Sequence, residues 1–265
     1  MLFYGADFSG AKDASRGIYY AVGKTVSGKI IIQDLVHCDD RLDLFAAVDS
    51  TAAPWGIDFP FALPVDAYKA LGLKDWPALM DFITAQGREE FLALLESRVA
   101  PQEANCAEHS IYCRLIDANA GSFSPFKKHK PNMQSMIYGG LKFLSYLRRS
   151  GNNVYPFDKL DKSRSRIYEV YPSHTWKLLG LNKIVDLHSL VIRFKEKTGI
   201  EVIIIPEVLH KVSSMDAADA VVACITMGQA LLRSGTDDDW SSIPPWVTPE
   251  EWGMRTWEGL MIKVW

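Results

Sequence analysis

The sequence predicts an α/β fold: a mixed five-stranded sheet flanked by helices, with a largely helical insertion between its fourth and fifth strands. Three observations carry this. The chain opens in the order β-β-β-α-β, an aspartate closes both the first and the fourth of those strands, and a long alanine-rich helix follows the last part of the sheet. At 265 residues, 48% hydrophobic and 23% charged, the chain suits one globular domain carrying an insertion.

Residues 2–6 are a short apolar strand that ends at Asp7, and Phe8-Ser9-Gly10 turns the chain away. Residues 17–23 and 29–38 are rich in β-formers and form a hairpin across Lys24-Thr25-Val26-Ser27-Gly28. Helical spacing of Leu42, Leu44, Phe45 and Val48 predicts a helix over 42–48. Residues 55–59 make the fourth strand, ending at Asp58 and stopped by Pro60. From 64 to 153 the pattern becomes helical, over 75–84, 88–99 and 133–149, with an irregular piece between. Residues 166–171 are the fifth strand, whose alternation puts Ile167, Glu169 and Tyr171 on one face. Short helices over 174–179 and 186–197, a strand over 201–205 and a long helix over 215–232 complete the domain. The tail contains Trp240, Trp246, Trp252, Trp257 and Trp265, read either as a cover for the core or as an aromatic platform; 260–265 is a candidate edge strand.

The net charge of −3 excludes a strongly basic coat. No run of 18 apolar residues suggests a membrane span, and the first residues enter a strand with no signal-peptide features, so cytoplasmic residence is the expectation. Cys38, Cys106, Cys113 and Cys224 form no CxxC pair, which reads as reduced usage; Cys106, His109 and Cys113 lack a fourth zinc ligand.

The chemistry rests on acids. A carboxylate at the end of a buried strand is costly unless its charge is compensated, and such strand ends are where open α/β sheets hold ligands. Asp216 and Asp219 share one face of the long helix, whose alanines allow close packing on the sheet. Asp7, Asp58, Glu169 and these two, converging, would repel one another. An all-oxygen set favours Mg²⁺ or Mn²⁺, and two such ions clamp the attacking and leaving oxygens of a phosphodiester. Taken singly, each acid also has a structural reading: a turn former, a helix-dipole charge, or for Glu169 a partner of Arg164 or Arg166.

In order and placement these residues resemble the RNase H-like superfamily, and residues 216–223 are similar to the last catalytic helix of RuvC-type Holliday-junction resolvases. Most inclusively, the chain resembles the family of predicted RNase H-like nucleases, a domain of unknown function. That family's motifs match here as Gly-x-Asp-x-Ser at 5–9, Ile-Asp-x-Pro at 57–60, Arg-x-x-Asp at 114–117, Tyr-Glu-x-Tyr-Pro at 168–172, Asp-Ala within 216–220, and Glu258-Gly259. The resemblance implies a metal-dependent phosphodiesterase fold with Asp7, Asp58, Glu169 and Asp219 as ligands, Asp216 competing with Asp219. The insertion over 64–153 departs from RuvC-type resolvases and speaks against a junction-resolving role.

Residues 118–157 hold no acid but include Lys127, Lys128, Lys130, Lys142, Arg148 and Arg149, interleaved with Phe123, Phe126, Tyr138 and Tyr146. They read either as a nucleic-acid wall beside the acidic site, with Ser9 and Arg114 as further substrate contacts, or as a solvated helix face over core aromatics. Arg114 alternatively pairs with Asp117. The expected activity is Mg²⁺- or Mn²⁺-dependent hydrolysis of DNA or RNA. Beside it stand a catalytically idle scaffold and an actin-kinase-like phosphotransferase, the latter lacking a second glycine-rich phosphate loop.

Overall fold

A computed structural model describes residues 1–11, 17–99, 113–128, 132–181, 186–234 and 243–265. The strands are β1 Leu2–Asp7, β2 Ile18–Val26, β3 Lys29–Cys38, β4 Pro54–Asp58, β5 Asn153–Val154, β6 Arg166–Val170, β7 Val202–Ile204 and β8 Met261–Ile262. Their order is β5-β6-β4-β1-β2-β3-β7, with β8 also pairing β6. β1 to β3 are antiparallel neighbours, while the β1–β4, β4–β6, β5–β6, β6–β8 and β3–β7 pairs are parallel.

The sheet therefore has eight strands among the described residues rather than the expected five. The additions are short. β7 and β8 fall within the runs 201–205 and 260–265, while β5 is only two residues long and has no periodicity to reveal it.

One face is covered by α10, Met215–Ser234. Its length and hydropathy would suit a membrane span, but 83% of its apolar window is buried within the protein. Close packing explains why the sheet carries glycine at its centre. A Cβ on Gly5 would sit 1.9 Å from the Cys224 backbone nitrogen. On the helix side Ala217, Ala218, Ala220 and Ala223 are fully buried, as the alanine pattern predicts. We expect Gly5→Ala to destabilise the fold by about 3 kcal/mol, because the obstructing atoms are backbone and cannot rotate away. Denaturant unfolding checks this; a variant as stable as wild type would contradict the packing.

The opposite face is covered by α1 Arg41–Asp49, α3 Trp76–Ala85 and α6 Met133–Arg149, with α2 Val65–Leu71 and α4 Arg88–Leu94 beside them. Helices from the segment 64–153 thus share one core with the sheet: Trp55, Ile57 and Ile167 pack in the same cluster as Trp76, Ile137 and Leu144. The remaining helices are α5 Leu115–Ala120, α7 Pro172–Leu178, α8 Leu187–Thr198, α9 Pro206–Lys211 and α11 Pro249–Glu258. The helical run over 88–99 ends as one π turn, Leu95–Val99.

The tail is a cover. Trp246 stacks on Trp265 at 4.3 Å between ring centroids, and Trp257 meets Tyr68 edge-on at 5.5 Å. Trp240 lies outside the described residues. The reading of four reduced cysteines is corrected. Cys113 is disulfide-bonded and cannot serve as a thiolate ligand, while Cys38 and Cys224 are buried free thiols. Cys106 and His109 lie outside the described residues.

Candidate functional site

Asp7 and Asp58 are register partners on adjacent parallel strands. Each follows by two residues a glycine that faces α10, Gly5 against Cys224 and Gly56 against Met227. Side chains alternate along a strand, so both carboxylates point to the α10 side at the strand ends. There α10 begins, and Asp216 and Asp219 lie in its first turns. All four aspartates line one cleft of ≈ 440 Å³. Asp219 Oδ1 accepts a 2.5 Å hydrogen bond from Trp176 Nε1, and an Asp216 oxygen lies beside Gly17. Among the described lining residues there is no Lys or Arg.

The rest of the lining is uncharged: polar Ser9, Ser122, Asn132, Ser135, Tyr171 and Ser173, and apolar Phe8, Phe123, Met133 and Met136, with Gly10, Ala11 and Gly17. Asn132 caps α6, and Tyr171-Pro172-Ser173 starts α7. Burial raises the Tyr171 phenol above its ordinary value, against hydrogen bonds with Ser122 and Ser173, so it faces the cleft protonated. Of these, Ser9 and, among the aromatics of the basic stretch, Phe123 stood out from sequence as candidate contacts. The other polar ones are uncharged residues at helix ends and carry no periodic signal, although Tyr171 belongs to the Tyr-Glu-x-Tyr-Pro motif.

The cleft's near wall is the loop after β1. Arg41 donates to Ser9 O from Nε at 3.0 Å and from Nη2 at 2.9 Å, and also to Ala11 O. Arg88 donates to Gly10 O at 3.2 Å. A Cβ on Gly10 would sit 2.3 Å from the Met136 Cα, so glycine is required where this loop meets α6.

Glu169 is not in the cleft, which corrects the expected ligand set. It pairs in register with Ile57, one residue before Asp58, and so points to the face away from α10. There its oxygens accept from Arg114 Nη1 at 2.8 Å and Nη2 at 2.6 Å, and from the Phe61 N–H at 2.9 Å. Arg114 is fully buried and places all five donors: two on Glu169, two on Asp117 at 2.7 Å each, and one on Glu258 O at 3.2 Å. Burial alone would lower Arg114, but Asp117 and Glu169 more than offset it and hold it well above its ordinary value. Burial raises the Glu169 carboxyl, with Arg114 and the Phe61 N–H opposing. The Glu258 carboxylate caps two helices, accepting from Val65 N at 3.0 Å and Leu115 N at 2.7 Å. Burial raises it as well. Arg114 is therefore a structural cation, not a substrate contact.

The expected basic wall divides: none of its described cations lines the acidic cleft, while Lys142 and Arg149 line a neighbouring groove. Lys128 pairs with Glu96 at 2.8 Å, and Arg148 pairs with Asp158 at 2.8 Å over the Trp76 ring. Lys127 sits over Phe123, 3.4 Å from the ring centroid, at the cleft edge, and Phe126 is core. Lys130 lies outside the described residues. Arg149 is exposed on α6, away from the cleft lining.

Carboxylates, hydroxyls and an amide oxygen are hard donors, of the kind that suits Mg²⁺ or Mn²⁺. Among the described residues no three acidic, His or Cys side chains gather closely enough to form a ready-made metal cage. Mg²⁺ commonly uses one or two carboxylates completed by water and substrate phosphate, and the Asp7–Asp58 pair meets that requirement. Compared with known proteins, the chain matches no family model, no curated protein and no solved structure.

Proposed function

We propose that the protein is a divalent-metal-dependent phosphodiester hydrolase acting on nucleic acid, with an RNase H-like sheet. The observation that carries this reading is the alignment of Asp7 and Asp58 on neighbouring strand ends, facing Asp216 and Asp219 across one cleft. The order β3-β2-β1-β4-β6, antiparallel among the first three strands and parallel beyond, supports the superfold. Asp7 and Asp58 would hold Mg²⁺ or Mn²⁺ as a carboxylate pair completed by water and substrate, with the acids of α10 across the cleft. The metal, when bound, would activate water and stabilise the departing oxygen.

The chain's own residues supply the rest. Trp176 holds the Asp219 rotamer through Oδ1, and Asp216 lies one turn earlier on the same helix beside Gly17. Asp216 and Asp219 thus compete as the helix acid facing the Asp7–Asp58 pair. Ser122, Tyr171 and Ser173 offer neutral hydrogen bonds to a phosphate or sugar, adding no charge that would compete with the metal. The start of the 17-residue α6 adds a positive dipole end toward an anionic group.

The test is hydrolysis of labelled single-stranded and duplex DNA and RNA in Mg²⁺, Mn²⁺ or EDTA, by wild type and Asp58→Asn. Metal-dependent cleavage lost in the variant is expected. Cleavage that survives in both EDTA and Asp58→Asn would refute the reading.

A further inference from the structure

A second depression adjoins the acidic cleft and is opposite to it in charge. It lies between α1 and α6, has a volume of ≈ 560 Å³, and falls within the range of ligand pockets, about 300–1,000 Å³. Its cations are Arg41, Lys142 and Arg149, and among the described residues no acid lines it. Its floor is Phe45, Tyr138, Phe143 and Tyr146, with Leu42 at the rim. Leu42 is 73% exposed and Tyr146 46% exposed, more apolar surface than a solvated helix face would normally show.

The two sites share a wall. Ser9, Gly10 and Ala11 line the acidic cleft, while Arg41, which grips the carbonyls of Ser9 and Ala11, lines the groove. On α6, Tyr138, Lys142 and Tyr146 recur every fourth residue and so form one stripe. Lys142 Nζ is held over this stripe by Gln86 O at 3.1 Å and by the Tyr138 hydroxyl at 3.0 Å.

From this we propose that the α1–α6 groove binds single-stranded nucleic acid flanking the position acted on at the carboxylates. The inference rests on the phosphodiesterase reading and supplies its substrate class. A phosphodiester chain carries one negative charge per nucleotide, with a flat apolar base between charges. That matches cations set around exposed aromatic rings. A duplex hides its base faces and leaves the aromatic floor uncovered. An acidic peptide matches the cations but, unlike a strand, does not carry a flat ring beside every charge.

The test is fluorescence anisotropy with labelled thymidine and uridine oligonucleotides of about ten nucleotides, in EDTA, at several salt concentrations. Tyr146→Ala and Arg149→Glu are the variants, since both side chains are exposed; Arg41 is avoided because it holds the cleft wall. Each variant is expected to weaken binding about tenfold or more, and Arg149→Glu to make the log–log salt slope shallower by about 1. Unchanged affinity in both variants overturns the groove assignment. Equal competition by a duplex of the same length overturns the single-strand assignment, and displacement by polyglutamate at matched charge overturns it in favour of an acidic protein partner. Failure here is separable from failure of the phosphodiesterase reading. Strands bound in the groove without metal-dependent cleavage would sink only the latter; cleavage with groove variants unaffected would sink only the former.

Discussion

Arg114→Met is expected to destabilise the protein by about 3–5 kcal/mol, the cost of removing one partner from a buried ion pair. At about 2–4 °C per kcal/mol for a domain of this size, the melting temperature should fall by roughly 10 °C. The variant leaves Asp117 and Glu169 sealed from water, both at or near zero exposure, with five acceptor contacts unmade. Arg114→Lys should recover little of the loss. An ammonium keeps the charge but cannot reproduce a planar fork reaching two carboxylates and a carbonyl at once. Adding Glu169→Met to Arg114→Met should restore part of the stability, because it withdraws one of the stranded charges. Urea titrations of the three variants check this. An Arg114→Met protein within about 1 kcal/mol of wild type would contradict the network. The consequence reaches the cleft, since Arg114 begins α5, and Ser122 and Phe123 in the cleft lining follow directly from that helix.

Asp7→Asn should do the opposite: large in chemistry and small in stability. Asp7 lines the cleft beside three other aspartates, and replacing one carboxylate by an isosteric amide relieves repulsion. Thermal stability should be unchanged or slightly higher. Turnover of an oligonucleotide should fall at least about a hundredfold, the scale for losing one electrostatic contributor to a transition state. Parallel melting curves and single-turnover rates separate the two effects. A variant that loses both stability and activity would recast Asp7 as a structural residue.

These two residues also mark what can be read from sequence. Asp7 and Asp58 were legible because each ends an apolar run, and the β-β-β-α-β order makes their strands neighbours. Asp216 and Asp219 were legible from helical spacing. Glu169 was not. β6 is buried on both faces, so its sequence shows no inside–outside alternation, and only pairing with β4 decides which way the carboxylate points. A shift of one residue in that register would have put it in the cleft. The local Arg114–Asp117 pair was visible at three-residue spacing, but its partners Glu169 and Glu258 lie 55 and 144 residues away. The lysine-rich stretch misled for a similar reason. Glu96 and Asp158, which neutralise Lys128 and Arg148, lie at its edges or beyond. Two of the cations of the α1–α6 groove, Lys142 and Arg149, do come from that stretch, joined by Arg41 from a helix about ninety residues earlier.

The central claim is that the aspartates of this cleft hold a divalent cation, and Mn²⁺ titration followed by electron paramagnetic resonance tests it most directly. Wild type should deplete the free Mn²⁺ signal saturably, and Asp7→Asn should lose that depletion while melting at the wild-type temperature. Equal depletion by both proteins, or none by wild type in the presence of a non-cleavable oligonucleotide, would contradict the assignment.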